Sequence, residues 1–246
     1  HFWQYRAFEN GIDLPREIDH RRSAKQDQDF VRQLEWKTPQ VLHIWVDAGA
    51  SMHFGSAGFT EKHVRASVVA LAVAIAAERG GERIGLCDGV LPPARGRGQI
   101  FRIAESLSAP TKQDYVSPIG SHFVRGSSAL IASDFLSDLR QIEEALARAS
   151  DQRVQGVLLQ VLDPSELSFP FRGRTIFQNV LGSIEHDTLW AEDLRKPYLE
   201  RLAAHQEQLK SLAAMAGWSY ICYDGNKSTL SVATKLYFLL SGGRNR

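Results

Sequence analysis

The stretch Val41-Leu42-His43-Ile44-Trp45-Val46-Asp47-Ala48-Gly49-Ala50-Ser51 decides the fold of this 246-residue chain. Its first six residues form an apolar run that is typical of a buried β-strand. An acid and a hydroxyl, Asp47 and Ser51, follow on the loop that leaves this strand. In open α/β sheets, ligands bind at the edge where the strands end. The stretch therefore predicts a buried strand whose following loop carries a binding site.

The residue types on this loop suit a hard metal ion. Carboxylate and hydroxyl oxygens are preferred by Mg²⁺, which takes few protein ligands and keeps several waters. The spacing from Asp47 to Ser51 is that of a metal-ion-dependent adhesion site, Asp-x-Ser-x-Ser, with Gly49 in place of the middle serine. Water can replace the missing hydroxyl, but we expect weaker binding because the fold does not preorganise it. The alternative interpretation of Gly49 is a loop position with positive φ.

Two further predicted strands also end in acids, at Ser133-Asp134 and Leu162-Asp163. Parallel strands place their carboxyl ends at one edge, so Asp47, Ser51 and Asp134 are candidates to converge on one cation, Mg²⁺, or on one ligand. The alternative is structural. In that interpretation Asp47 caps a turn, Ser51 caps a helix, and Asp134 caps a helix that begins near Ser137.

Strand and helix patterns alternate along most of the chain. This alternation predicts an α/β fold with a doubly wound, mostly parallel sheet and helices on both faces. One predicted helix runs from Thr60 to Arg79, with an apolar face formed by Val64, Val68, Leu71 and Ile75. Residues 165–189 are predicted to be an inserted β-hairpin. We expect residues 1–40 to be an N-terminal extension packed on a main domain of residues 41–246.

Composition narrows the class of protein. With 43% hydrophobic residues, the chain can build a sizeable core. Lys and Arg number 29 against 28 Asp and Glu, so nothing in the charge favours nucleic acid as a partner. Cys87 and Cys222 lie in apolar runs, so we expect free thiols and a cytoplasmic location. The longest apolar stretch, Val68 to Ala77, is too short to span a membrane.

Signs of enzymatic chemistry are weak. Ser51 has His53 close by, but the segment lacks the second glycine of the Gly-x-Ser-x-Gly nucleophile elbow, which would fall at His53. The eight histidines show no zinc-binding spacing, and no phosphate-binding P-loop occurs. We therefore expect no enzyme, and a hydrolase using Ser51 or the clustered acids is the minor alternative.

Several motifs recur in an order that is specific in combination. The N-terminal motifs are Phe2-Trp3-Gln4-Tyr5-Arg6, Gly11-Ile12-Asp13, Ile18-Asp19-His20-Arg21-Arg22-Ser23-Ala24-Lys25 and Val31-Arg32-Gln33-Leu34-Glu35-Trp36. The later motifs are Gly81-Glu82-Arg83-Ile84-Gly85-Leu86, Ser133-Asp134-Phe135-Leu136, Asp163-Pro164-Ser165-Glu166-Leu167 and Phe169-Pro170-Phe171-Arg172-Gly173. Together with the loop of Asp47, they resemble the domain of unknown function family 58, DUF58. The chain departs from that family's pattern at His20, at Ile12 and at Gly49.

The resemblance implies a von Willebrand factor A-like domain, of a family commonly encoded beside MoxR-type AAA+ ATPases. It implies a non-catalytic interaction module, an adaptor or co-chaperone for such an ATPase and its client proteins. The family's metal-binding threonine has no clear counterpart, with Thr111 and the 117–121 loop as weak candidates. This favours a degenerate metal site. The alternative is a metal-free structural scaffold of the same fold.

Overall fold

The computed structural model describes residues 2–8, 18–23, 29–34, 40–109, 118, 122–178 and 185–242. The chain divides into two compact units, residues 1–39 and residues 40–246. That residues 1–40 pack on the main domain stays a prediction.

The first unit contains two strands and a short helix: β1 (Phe2–Ala7), α1 (His20–Ser23) and β2 (Phe30–Leu34). The strands pair in antiparallel fashion, and Ala7 lies opposite Phe30. Backbone hydrogen bonds continue this pairing, because Phe8 donates to Asp29 and Asp19 donates to Phe30, both at 2.8 Å.

The second unit is built on a five-stranded sheet. Its strands are β3 (Val41–Val46), β4 (Arg83–Leu86), β5 (Ser128–Ser133), β6 (Gln155–Val161) and β9 (Ser219–Tyr223). The strand order is β4-β3-β5-β6-β9, and all four pairings are parallel. The central strands are buried on both faces, as strands of a parallel sheet require.

Helices cover both faces of this sheet. They are α2 (Lys62–Arg79), α3 (Arg97–Leu107), α4 (Arg140–Asp151), α5 (Pro164–Ser168), α6 (Ala191–Met215) and α7 (Thr229–Gly242). Side chains of α2, α3 and α7 share one apolar cluster with the sheet, whereas α4 and α6 contribute to a second. The predicted doubly wound α/β fold is confirmed. Within the described ranges, no helix is both long and apolar enough to cross a membrane.

The predicted hairpin is also present. Strands β7 (Thr175–Gln178) and β8 (Glu185–Thr188) pair in antiparallel fashion apart from the main sheet. Residues 179–184 between them lie outside the described residues.

Helix α2 differs from its prediction in two respects. It begins at Lys62, and neither Thr60 nor another side chain caps it. Three residues of the predicted apolar face, Val64, Val68 and Ile75, are exposed, whereas Leu71 packs against the core. The buried face carries mainly small residues: Ala66, Val69, Ala70, Val73, Ala74 and Ala77. Small side chains let the helix lie close to the sheet and to α7, so the most hydrophobic residues were a misleading guide to its orientation.

Candidate functional site

The carboxyl ends of β3, β5 and β6 lie side by side. The register places Val46 beside Ala132 of β5, and Ala132 beside Leu159 of β6. The three loops that leave these strands therefore begin at neighbouring positions on one edge, and each begins with a buried acid: Asp47, Asp134 and Asp163. A buried carboxylate is stable only when other groups satisfy it, so the partners of each acid determine what the edge can do.

Asp47 ties its own loop to the neighbouring strand. Its Oδ1 accepts a hydrogen bond from the Gly49 amide at 2.7 Å, and its Oδ2 accepts one from the Ser133 hydroxyl at 2.6 Å. The first bond closes a turn, in the manner expected of an aspartate at a loop start. Gly49 has φ of −58°, so the interpretation of this glycine as a positive-φ position is wrong. Its backbone conformation is open to any L-residue.

Ser51 lies in a short 3-10 turn, Ala50–His53, directly after this loop. It is 8% exposed, and its hydroxyl has no hydrogen-bond partner among the described residues. The residue at the start of the turn is Gly49, without a side-chain cap, so the interpretation of Ser51 as a helix cap is wrong.

Asp134 is held by a lysine that sequence reasoning did not single out. The Lys62 ammonium donates to Asp134 Oδ2 at 2.9 Å and to Glu166 Oε1 at 2.6 Å. Lys62 is 1% exposed and Asp134 is fully buried. The other oxygen of Asp134 accepts from the Leu136 amide at 3.1 Å. Helix α4 begins only at Arg140, so the interpretation of Asp134 as its cap is wrong.

Electrostatics favours the charged form of this lysine. Burial alone would lower the pKa of Lys62, but the carboxylates of Asp134 and Glu166 outweigh it and hold the pKa above its ordinary value. Burial raises the pKa of Glu166, and the Lys62 ammonium opposes this shift. The amine is therefore an ammonium ion at neutral pH, and it neutralises charge that the edge of the sheet would otherwise leave unpaired.

Glu166 connects this ion pair to the loop after β6. Its Oε2 accepts from the Asp163 amide at 2.7 Å, while Asp163 Oδ1 accepts from the Ser165 amide at 2.9 Å. These two bonds form a capping box at the start of α5. Hydrogen bonds from Ser165 and Ser56 hold the pKa of Asp163 below its usual range, although burial opposes this. Nearby, Arg65 Nη2 lies 3.9 Å from Asp163 Oδ2.

The side chains as placed do not fit a bound Mg²⁺ at Asp134. An ammonium within hydrogen-bond distance of the carboxylate repels a divalent ion, and Gly49 offers no hydroxyl. In the part of the chain that the structure describes, no group of three or more His, Cys, Asp or Glu side chains is placed to hold a metal. Thr111 and the 117–121 loop, apart from Pro118, lie outside the described residues.

The pairing of Ser51 with His53 that the minor hydrolase alternative would need is not formed. His53 Nδ1 lies 3.1 Å from Glu61 Oε2, and its ring is tilted against that of His63 at a centroid distance of 4.9 Å. The Ser51 hydroxyl makes no hydrogen bond to any described residue. A nucleophilic serine needs a base within hydrogen-bond reach, and the arrangement does not supply one.

Comparisons with known proteins give a family and uncharacterised relatives. A family model described as "Protein of unknown function DUF58" matches residues 4–208. An uncharacterised protein of Mycobacterium bovis is 27% identical over 218 residues, covering 82% of this chain and 67% of that protein. An uncharacterised protein of Mycobacterium tuberculosis matches with the same 27% identity and the same coverage of 82% and 67%.

Solved structures are similar at low sequence identity. An aerotolerance-related membrane protein from Bacteroides fragilis, crystallised with multiple mutations to serine, gives a TM-score of 0.48 at 14% identity, covering 83% of this chain and 100% of that one. The conserved hypothetical protein BatB from Bacteroides thetaiotaomicron gives a TM-score of 0.39 at 13% identity, with coverage of 82% and 98%.

Proposed function

The chain belongs to the DUF58 family, and we propose that it is a non-catalytic protein-interaction module that binds its partner at the carboxyl edge of the main sheet. One observation carries the proposal. The Lys62 ammonium links the acids that follow β5 and β6, through Asp134 and Glu166, and so fixes the loops at this edge. An edge that is joined by buried ion pairs, and on which the described residues assemble no nucleophile and base, suits recognition rather than catalysis.

The surface offered at this edge is the segment of residues 53–61, here called the docking loop. Its members Phe54, Gly55, Ala57, Gly58 and Thr60 are exposed. The loop is anchored at two points, because the Ser56 amide donates to Asp163 Oδ2 at 3.0 Å and the Lys62 amide donates to the Phe54 carbonyl at 3.0 Å. An exposed aromatic ring on an anchored loop is the type of residue that dominates the binding energy of protein interfaces.

The partner we propose is a MoxR-type AAA+ ATPase, with the pair acting on client proteins. Support for this partner comes from the family resemblance of motifs such as Phe2-Trp3-Gln4-Tyr5-Arg6 and Ser133-Asp134-Phe135-Leu136. We place the pair in the cytoplasm, since the buried thiol of Cys87 is free and suits a reducing compartment.

The test is a binding measurement with two phenylalanine variants. Phe54→Ala removes the exposed ring of the docking loop, whereas Phe101→Ala removes an exposed ring from α3. Biolayer interferometry with the MoxR-type ATPase encoded nearest to this chain's gene should show binding weakened by about tenfold or more for Phe54→Ala. Phe101→Ala should bind like the wild-type chain. Equal binding by both variants, or no wild-type complex at micromolar concentrations, contradicts the proposal.

A second candidate is a metal-free structural scaffold of the same fold. The observation that favours it is the pair of hydrogen bonds that Asp47 accepts from Gly49 and Ser133, which a structural turn would also require. If the chain is such a scaffold, Phe54→Ala should change neither the binding of the ATPase nor the stability of the chain. The hydrolase alternative would need an activity that Ser51→Ala abolishes.

A further inference from the structure

We infer that the Lys62 ammonium serves as a built-in cation at the edge where the sequence indicates a degenerate Mg²⁺ site, so that this edge needs no metal ion. The role of the ammonium in the isolated chain is argued from the geometry alone. What the ammonium implies for partner binding rests on the proposed function.

The first argument is the coordination of the ammonium. A lysine ammonium has three protons to donate, and carboxylate oxygens of Asp134 and Glu166 accept two of them at 2.9 Å and 2.6 Å. The Phe54 ring lies 5.9 Å from the same nitrogen, within the range of a cation–π contact. Two carboxylates, one on the loop after β5 and one on α5, thus meet one positive charge, as they would around a metal ion.

The second argument is the cost of placing a lysine there. Lys62 occupies the first turn of α2, where the helix dipole disfavours a positive charge, and it is 1% exposed. A buried ammonium is tolerated only when it is paired and hydrogen-bonded. The two carboxylates provide that pairing, so the lysine and the acids are placed for each other.

The third argument is that the loop after β3 lacks one of the expected metal ligands. Gly49 stands where the adhesion-site spacing calls for a serine, although its φ of −58° would accept one. The same edge therefore lacks a metal ligand and holds a cation of its own. Gly49 weakens the binding of Mg²⁺ and Lys62 supplies the positive charge, so both features disfavour a metal ion at this edge.

The consequence concerns how a partner is recognised. The ammonium is buried together with Asp134, so a carboxylate from a partner cannot reach it to complete its coordination. Recognition through the docking loop should then be insensitive to divalent metal. The loop is held in place by the hydrogen bonds of Ser56 and Lys62, and not by an ion that exchanges with solvent.

The experiment compares the metal response of the full chain and two lysine variants. Lys62→Ala removes the buried ammonium, and Lys210→Ala removes an exposed lysine that lies 3.4 Å from Glu207. Thermal unfolding and calorimetric titration are recorded in EDTA and in millimolar Mn²⁺ or Mg²⁺. We expect no heat and no change of Tm for the wild-type chain or for Lys210→Ala. Lys62→Ala should have a lower Tm in EDTA and recover part of it in Mn²⁺.

Two outcomes would overturn the inference: a metal-dependent rise of the wild-type Tm, or a Lys62→Ala variant that responds to Mn²⁺ no more than Lys210→Ala does. If Lys62→Ala fails to fold in EDTA, refolding from urea gives the readout. Recovery of folded chain in Mn²⁺ alone supports the inference, and failure in both buffers opposes it. All these measurements use the chain without a partner, so their failure is distinguishable from a failure of the ATPase binding assay.

Discussion

Lys62 is among the largest of the fully buried side chains in the described part of the protein, and its pairing with Asp134 makes a direct prediction about stability. Removing one member of a buried ion pair leaves the other charge uncompensated, which costs about 3–5 kcal/mol. We therefore expect Lys62→Met, which leaves two carboxylates without their cation, to lower the free energy of unfolding by about 3–5 kcal/mol. Asp134→Asn should lower it by less, because Lys62 keeps its contact with Glu166. The double variant should lose clearly less free energy of unfolding than the two single variants lose together. Urea denaturation of the four proteins at neutral pH measures this coupling.

The exposed residue Lys210 is the matched control for this cycle. Lys210→Met should change the free energy of unfolding by less than about 1 kcal/mol, because surface ion pairs contribute little. Additive losses in the Lys62 and Asp134 cycle would mean that the two side chains do not interact. The contact between Lys62 and Asp134 would then not stabilise the loops at the carboxyl edge of the sheet.

A strained residue next to Asp134 shows why the sequence did not predict this pair. Phe135 has φ of 53° and is buried, with its amide donating to the Ser133 hydroxyl at 2.9 Å. His205 Nε2 lies 2.6 Å from the Phe135 carbonyl oxygen, and Gln160 donates to the Asp134 carbonyl at 2.9 Å. These contacts fix the turn that carries Asp134. Two of them come from His205 and Gln160, which are far along the chain, so no local pattern reveals them.

At the scale of elements, the register of β5 and β6 predicts the effect of a single methyl group. Gly156 lies opposite Ala129, and a Cβ there would overlap the Ala129 carbonyl oxygen and come within 2.7 Å of the Trp218 ring. Gly156→Ala should therefore lower the free energy of unfolding by at least about 2 kcal/mol.

Gly98→Ala is the control with the opposite expected sign. Gly98 lies inside α3 and its Cβ would point into open space. Because alanine favours helix, this change should raise the free energy of unfolding by up to about 1 kcal/mol. Equal effects of the two changes in a urea denaturation experiment would contradict the register of the sheet or the bounds of the helix.

The elements themselves were predictable because their signals are local. The apolar run Val41–Val46 and the acid that follows it placed β3 and its loop correctly, and the same pattern placed β5 and β6. The orientation of α2 was not predictable in this way. The small residues of α2 are buried because they fit the narrow space between the sheet and α7. In addition, Lys62 lies at the start of the helix, where a positive charge is ordinarily disfavoured. A lysine in the first turn of a helix is unusual, but by itself it does not indicate the carboxylates with which Lys62 pairs.

At the scale of the whole molecule, a buried histidine makes stability depend on pH. His43 on β3 is 1% exposed, and its Nε2 accepts a hydrogen bond from the Val124 amide at 3.0 Å. Burial lowers the pKa of His43 to about 4. The unfolded chain therefore binds a proton at higher pH than the folded chain does. The stability from neutral His43 is complete above about pH 6.5 and is lost as the pH falls towards 4.

This linkage is measurable against a neutral replacement. Between neutral pH and pH 4, the wild-type chain should lose about 3 kcal/mol through His43 alone. His43→Gln keeps an acceptor near the position of Nε2 and cannot become charged. Urea denaturation across this range should give a shallower pH dependence for the variant. Parallel pH profiles for the two proteins would mean that His43 is not held in its neutral form.

The central claim is that the carboxyl edge of the sheet holds a lysine ammonium where the sequence indicates a degenerate metal site. Anomalous diffraction from crystals of the wild-type chain grown in millimolar Mn²⁺ tests it most directly. The account predicts no anomalous peak beside Asp134, with the Lys62 nitrogen within hydrogen-bond distance of Asp134 and Glu166. A Mn²⁺ peak on Asp47 or Asp134, with Lys62 displaced, would contradict it.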